Sequence, residues 1–416
     1  MLTRSRRTTP YPSSLLLTGA VFLIGFVQVL LAVRVIFRLI RSASPKTTMA
    51  VPQRPSIEGV VTVLVPVLDE ADRLGPCLEG LMAQGPEVAE ILVVDGGSAD
   101  ATVALARQFA SRDDRIRLID AAPVPVEWNG KAWNLQRGLD EASIGSVWVL
   151  TIDADVRPRA GLVRALVGWA DSDDLAVLSG ATRQRLSGAA EGLVHPALLT
   201  SLVYRYGIPG TTTTDPDDVQ ANGQCMLLRR DTLDSIGGFS GGRHSLCEDV
   251  TVARLIATAG HRVGFAETGD LVEVAMYGSA REAWLNWPRS LTMRDHLSAH
   301  SVPVRLTEVA MVQALPLLIT AIATIVRRRH HYPSTSPPGS WPVNPGQLRA
   351  VELILKLNRL LVLLRLGVLF GMVRAYRRPP WTYWLSPLLD VPVAIRLIQS
   401  ALRRTHSWRG RPMTRR

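Results

Sequence analysis

Residues 147–158 read VWVLTIDADVRP, and this stretch decides the fold. An unbroken run of β-branched and large apolar side chains suits a strand covered on both faces, and two carboxylates, Asp153 and Asp155, follow at its carboxyl end. Similar runs stand on either side: VTVLVPVL at 61–68, ILVVD at 91–95, RIRLID at 115–120 and LAVLSG at 175–180. Helix-like stretches such as 100–111 and 130–142 separate most of them. Alternating strands and helices predict an α/β fold with a doubly wound, mixed but mainly parallel sheet. Ligands of such sheets lie beyond the carboxyl ends of the strands, where Asp95, Asp153 and Asp155 fall.

Two carboxylates two residues apart at a strand end can converge on one hard cation. Mg²⁺ or Mn²⁺ is typically held by one or two carboxylates together with substrate phosphates. Such a metal offsets charge on a leaving diphosphate. Solvated turns carry the same D-x-D pattern, so the weight rests on the buried strand before it and on the second Asp-ended strand. In ILVVDGGSADAT, Asp95 ends a strand and two glycines let the backbone turn tightly ahead of a helix beginning near Ala99. Asp95 there can accept hydrogen bonds from a nucleotide base or ribose, while Ser98 and Asp100 are natural helix caps. CEDVTVARLIATAGHRV opens an amphipathic helix with Glu248 and Asp249. Acids in a first turn suit the helix dipole, and the sharper reading makes Asp249 a general base toward an acceptor hydroxyl.

The 416 residues, 47% hydrophobic, suffice for one large α/β domain with added membrane segments. Residues 1–50 carry 7 Lys/Arg and no acids, and residues 301–416 carry 18 against 3. The flanks therefore sum to about +22 and residues 51–300 to about −11. An acidic centre argues against a nucleic-acid enzyme. Basic flanks beside apolar runs suit anionic headgroups, at roughly 1 kcal/mol per residue. Cys77, Cys225 and Cys247 lie far apart with no C-x-x-C pair, which argues against a disulfide framework and a zinc site and for a reducing, cytosol-facing domain.

Residues 14–33, SLLLTGAVFLIGFVQVLLAV, are uncharged over the length that crosses a bilayer and follow Arg4, Arg6 and Arg7. They predict a transmembrane anchor rather than a cleaved signal peptide. A Pro-, Gln- and Ser-bearing linker occupies 51–58. Beyond residue 300, 311–326 and the Leu-rich 353–373 are further candidate membrane segments. In the second, Lys356 and Arg359 share a face with Glu352 and Arg365 interrupts the run, so an interfacial helix competes with a full span. Arg327, Arg328 and Arg329 fall where a count of spans places the outer side, against the positive-inside tendency, and leave the C-terminal topology open.

Taken in order, VTVLVPVLDEADRL, ILVVDGGSADAT, NGKAWNLQRG, TIDADV, the run from QANGQCMLLRRD to GGF, and CEDV resemble family 2 glycosyltransferases, whose catalytic domain has the A-type fold. The resemblance covers roughly residues 60–270 and implies an inverting, metal-dependent transfer from a nucleotide sugar. It implies that Asp95 contacts the base, Asp153 and Asp155 serve metal and ribose, and Asp249 is the catalytic base, with Glu248 beside it. Val67 and Glu70 match the first nucleotide-contacting loop, and Lys131 the segment that approaches the diphosphate. The Gln-x-x-Arg-Trp motif of processive members is absent. In its place EAWLNWPRSLTMRDH at 282–296 is similar, more weakly, to segments of carotenoid and hopanoid glycosyltransferases. As an amphipathic helix it would set Trp284 and Trp287 near headgroups and Arg289 and Arg294 toward phosphates or acceptor, or else pack between the catalytic domain and the membrane helices.

The expected organisation is an anchor and linker at 1–50, a catalytic domain at 51–280, an interfacial segment at 281–302 and a hydrophobic region with a basic tail at 303–416. The expected protein is a multi-pass cell (inner or plasma) membrane enzyme with a cytoplasmic catalytic domain, moving one sugar from a UDP- or GDP-sugar to a lipid hydroxyl. A polyprenyl-phosphate acceptor and a non-catalytic nucleotide-binding scaffold are the alternatives. Sugar, nucleotide, acceptor and oligomeric state are not encoded in any motif.

Overall fold

Apolar runs that cannot face water pair side by side, and the computed structural model shows how. It describes residues 12–43, 48–52, 58–331, 345–403, 405–408 and 411–414. Arg4, Arg6, Arg7, the linker residues 53–57 and the side chains of Arg329 and the tail beyond 403 lie outside the described residues. The strands are β1 (Val61–Val67), β2 (Val88–Asp95), β3 (Ile116–Asp120), β4 (Trp148–Ile152), β5 (Val156–Pro158), β6 (Val177–Ala181), β7 (Arg183–Gln184), β8 (Thr211–Thr213), β9 (Cys225–Arg229), β10 (Val263–Glu267) and β11 (Val272–Val274).

An eight-stranded sheet runs β3-β2-β1-β4-β9-β6-β10-β8. Its first four strands are parallel, as is the β6–β10 pair, while β9 runs antiparallel to both β4 and β6, and β8 lies antiparallel to β10 at the edge. The fold is thus the mixed, mainly parallel α/β sheet expected. In β1, Val61, Val63, Val65 and Val67 enter one core and Leu64 the other. Each such side chain contributes about 1.5–3 kcal/mol when fully buried.

The helices are α1 (Pro12–Ser42), α2 (Ala71–Met82), α3 (Thr102–Ala110), α4 (Gly130–Glu141), α5 (Leu162–Ser172), α6 (Ala189–Tyr206), α7 (Arg230–Ser235), α8 (Glu248–Thr258), α9 (Ala280–Leu291), α10 (Ser301–Glu308), α11 (Leu315–His331), α12 (Pro345–Gly371) and α13 (Asp390–Leu402). Side chains of α2, α3 and α5 fill the core on one face of the sheet, and those of α4, α7 and α8 the core on the other. Close approach of α4 requires Gly138, where a Cβ would stand 2.9 Å from Val94 Cγ2 and 3.0 Å from Leu64 Cδ2. A second sheet, β5-β11-β7, begins directly after Asp155. On it Glu273, buried, takes Arg159 at 2.9 Å and Arg377 at 2.6 Å, which ties the C-terminal region to the strand leaving the D-x-D.

Among the described residues, three helical stretches are long and apolar enough to cross a bilayer: Gly19–Ser42, Ser301–Arg328 and Trp381–Leu402. The first two overlap the expected spans. The third was not among the expected segments, while 353–373, which α12 covers up to Gly371, carries Lys356, Arg359 and Arg365 and is outside this set, with Glu352, Lys356 and Arg359 all exposed. Polar side chains that these helices do carry meet one another inside the bundle. Gln28 and Asn358 exchange amide hydrogen bonds at 2.9 and 3.1 Å, Glu308 takes Arg34 at 3.0 Å and Arg38 at 2.9 Å, and Arg365 meets Asp390 at 2.8 Å. Outward the surface is apolar: Phe22, Phe26, Phe37, Leu363 and Phe370 are each more than half exposed.

The helix α6, inside the expected catalytic segment, joins α9, α10 and α13 in one apolar cluster that includes Ala197, Leu198, Trp287, Leu291, Val393 and Leu397.

Candidate functional site

Asp153 stands one residue beyond β4 and Asp155 one residue before β5. The turn between them is held by the Asp153 N–H donating to the Gln224 carbonyl at 3.4 Å and the Val156 N–H donating to the Asp153 carbonyl at 3.1 Å. Lys131, second residue of α4, places its ammonium 2.7 Å from Asp153 Oδ1 and 2.9 Å from Glu248 Oε1, at the start of α8. Burial alone would discharge Lys131. The carboxylates of Asp153, Glu248 and Asp249 outweigh it and hold its pKa well above that of a free lysine.

Asp249 accepts from the Gly223 N–H at 2.5 Å on one oxygen and from the Val250 N–H at 2.8 Å on the other. Burial, reinforced by the charge of Glu248, still pushes its carboxyl up to about 6, the range of a general base working near neutrality. Burial, then the charges of Asp153 and Glu70, push Asp155 up to about 7. Asp155 Oδ1 is buried with no hydrogen-bond partner.

An orphaned buried carboxylate oxygen beside a second carboxylate fits a divalent cation, and Asp153 and Asp155 could hold Mg²⁺ or Mn²⁺. Bound there, the ion would supply Lewis-acid neutralisation of a leaving diphosphate. Among the described residues no group of three His, Cys, Asp or Glu side chains is arranged to hold a metal. Any further ligands of a six-coordinate ion there would come from outside these side chains.

The loops after β1 and β2 are laced to each other. Asp69, at φ 53°, accepts from the Ala99 N–H at 2.8 Å and donates its own N–H to Ser98 Oγ at 2.9 Å. The Glu70 N–H donates to Thr102 Oγ1 at 2.8 Å, ahead of α2. Asp95 is turned into its own loop, accepting from the Gly97 N–H at 3.2 Å, the Ser98 N–H at 3.1 Å and Ser98 Oγ at 2.5 Å. The Val67 carbonyl accepts from the Gly96 N–H at 3.0 Å and from Asn134 Nδ2 at 3.2 Å. Asn134 also donates to the Val94 carbonyl at 3.2 Å, so it staples the ends of β1 and β2.

On the other side of Asp249 the predicted residues separate. Trp287 is buried and stacks on His195 with ring centroids 4.2 Å apart, away from any surface, which is the packing alternative for this segment. Trp284 packs against the same cluster. Arg294 donates to the Ala401 carbonyl at 2.5 Å. Arg289 lies within electrostatic reach of the Tyr277 hydroxyl, which burial pushes upward and which also feels Asp155. Tyr277 had no sequence signal, and neither did the Gly223 backbone contact, although QANGQ stood in a recognised run.

Residues 62–237 match the family model described as glycosyl transferase family 2. The chain carries a family 2 glycosyltransferase domain. Its structure is similar over 92% of this chain to a mannosyltransferase from Pyrobaculum calidifontis solved with GDP-mannose and Mn²⁺, at TM-score 0.52, 18% identity and 97% coverage of that chain, a likeness of fold. The glycosyltransferase domain is also similar to an uncharacterized glycosyltransferase of Escherichia coli K12, 27% identical over 28% of this chain and 32% of the relative. A dodecaprenyl-phosphate galacturonate synthase of Rhizobium johnstonii is 27% identical over 31% of this chain and 37% of that protein. The chain thus spans about a third of the length of these curated relatives.

Proposed function

We propose that this chain is a membrane-anchored, inverting glycosyltransferase that moves one sugar from a nucleotide diphosphate sugar to the hydroxyl of a membrane lipid. The observation that carries the reading is the meeting of Asp153, Lys131 and Glu248 in one ion-paired group, with Asp249, held by the Gly223 N–H, within electrostatic reach of Lys131 and the orphaned Asp155 oxygen close by. Asp249 takes the acceptor proton as its oxygen attacks the anomeric carbon, and no covalent enzyme intermediate is needed. Lys131 steadies the departing diphosphate. Asp95, Val67 and Glu70 line the nucleotide side for a UDP- or GDP-sugar, and Asp153 and Asp155 would hold Mg²⁺ or Mn²⁺, which would offset the charge of the diphosphate. The apolar outer faces of α1, α11, α12 and α13 support a multi-pass cell-membrane location, with the catalytic domain in the cytoplasm where nucleotide sugars are made.

A phosphate acceptor on a polyprenyl chain is the second reading, favoured by the likeness to a dodecaprenyl-phosphate sugar synthase and by Arg281 and Arg289 on α9. Radiolabelled UDP- and GDP-sugars supplied to host membranes, with and without Mn²⁺, test both. Label is expected in organic-extractable lipid only with metal. Product stable to mild acid marks a hydroxyl acceptor and mild-acid-labile product a phosphate one. No label from any donor would sink the transferase reading.

A further inference from the structure

Arg254 lies on α8, five residues on from Asp249, with 0% of its surface exposed. Its Nη1 donates to the carbonyls of Met293 and Asp295, each at 2.7 Å, and its Nη2 reaches the Tyr206 hydroxyl at 3.4 Å. Its Nε is buried without a partner. Holding a buried cation with carbonyls and a phenol leaves much of its desolvation cost uncompensated. The turn it grips is itself strained: Met293 at φ 43° and His296 at φ 57° are non-glycine residues in the left-handed region. Strain of this kind persists where surroundings over-determine it and gathers at functional sites.

Both ends of that turn lead somewhere. Toward the catalytic carboxylates, Ser245 Oγ donates to Asp295, and it accepts from the Cys247 N–H at 3.0 Å and from Thr251 Oγ1 at 2.8 Å. Cys247 Sγ–H donates to the Ser290 carbonyl in the last turn of α9 at 3.0 Å, and the next residues are Glu248 and Asp249. Toward the apolar helices, Arg294 holds the Ala401 carbonyl near the end of α13, and Trp287 of α9 is packed with Val393 and Leu397 of α13. A continuous path of fixed contacts therefore joins α13, α9, the 292–296 turn and the start of α8.

We propose that Arg254 is a positioning residue that sets the register of α9 and the turn after it against Glu248 and Asp249, and so the approach of a lipid acceptor's oxygen to Asp249. The inference rests on the transfer reaction proposed for this site and involves neither donor nor metal. A lysine at this position keeps the charge but loses the fixed planar fork that meets the two carbonyls through one nitrogen and the Tyr206 hydroxyl through the other. Misplacement of a reacting group by about 1 Å costs on the order of 100-fold in rate, which sets the scale expected here.

The test uses full-length protein in nanodiscs of host lipid, comparing wild type with Arg254→Lys, Arg254→Gln and Arg294→Gln. Two quantities are read: Mn²⁺-dependent affinity for UDP and GDP by calorimetry, and transfer of labelled sugar as the acceptor-lipid content is varied. Arg254→Gln is expected to lower kcat/KM for acceptor lipid by about 10- to 100-fold, Arg254→Lys by less, and Arg294→Gln by roughly 5-fold, with nucleotide affinity within about twofold throughout. Unchanged acceptor kinetics in folded Arg254→Gln overturn the inference, as does a parallel loss of nucleotide binding, which marks a purely structural role. If Arg254→Gln does not fold, Arg294→Gln decides, and unchanged acceptor kinetics there overturn it. Wild-type protein that transfers no label overturns the transferase reading and this inference together, whereas active wild type with indifferent variants overturns the inference alone.

Discussion

Asp249 sits between opposing influences, two backbone N–H donors and the Lys131 ammonium on one side, burial and Glu248 on the other, and the balance leaves it near 6. Transfer is expected to fall as pH drops through about 6 and Asp249 takes up a proton, with the acid limb read from kcat/KM against pH. Asp249→Asn is expected to lose at least about 100-fold in kcat while Mn²⁺-dependent UDP or GDP binding survives. Stability moves the other way. Folded Asp249 binds its proton more tightly than the unfolded chain does, so the protein loses stability as pH rises from the ordinary carboxylate range through about 6. Without metal, Asp249→Asn should therefore melt a few degrees higher than wild type at pH 8 and together with it at pH 4. Asp153, Asp155 and Asp249 were legible because a strand end and a helix start mark them in one dimension. The Lys131 bridge was not, since its partners Asp153 and Glu248 come from two other elements.

At the level of elements, strand identity was written in the apolar runs but strand direction was not. CMLLR in β9 has the composition of its neighbours and runs antiparallel between two of them, because direction depends on where the connections pass. The apolar helical stretch at Trp381–Leu402 was hidden for a related reason: Asp390 and Arg396 break its apolar character locally, yet Asp390 is matched by Arg365 from α12 and by Gln313. Asp390→Asn leaves a buried guanidinium without its counter-charge. It is expected to destabilise the protein by about 3–5 kcal/mol, read as a drop in unfolding temperature in detergent, with Arg365→Met together with Asp390→Leu recovering most of the loss.

Across the whole molecule, the catalytic domain and the apolar helices share side chains rather than a linker. The helix α6 gives Ala197 and Leu198 to the cluster built with α9 and α13, and Met276 touches both that cluster and the main core. A fragment of residues 51–280 is expected to expose this face and sediment as aggregate, whereas the full chain in detergent elutes as a single species by size-exclusion chromatography.

The α/β class, the D-x-D at a strand end, the acid pair opening α8 and the first long apolar stretch are all readable along the chain, because each is a local pattern of polarity and spacing. Only the tertiary structure decided that Lys131 joins Asp153 to Glu248, that Gly223 feeds Asp249, that Trp287 is interior and that Arg254 grips the turn after α9. Those contacts join residues far apart along the chain, and their geometry exists only once the sheet and the helices have packed.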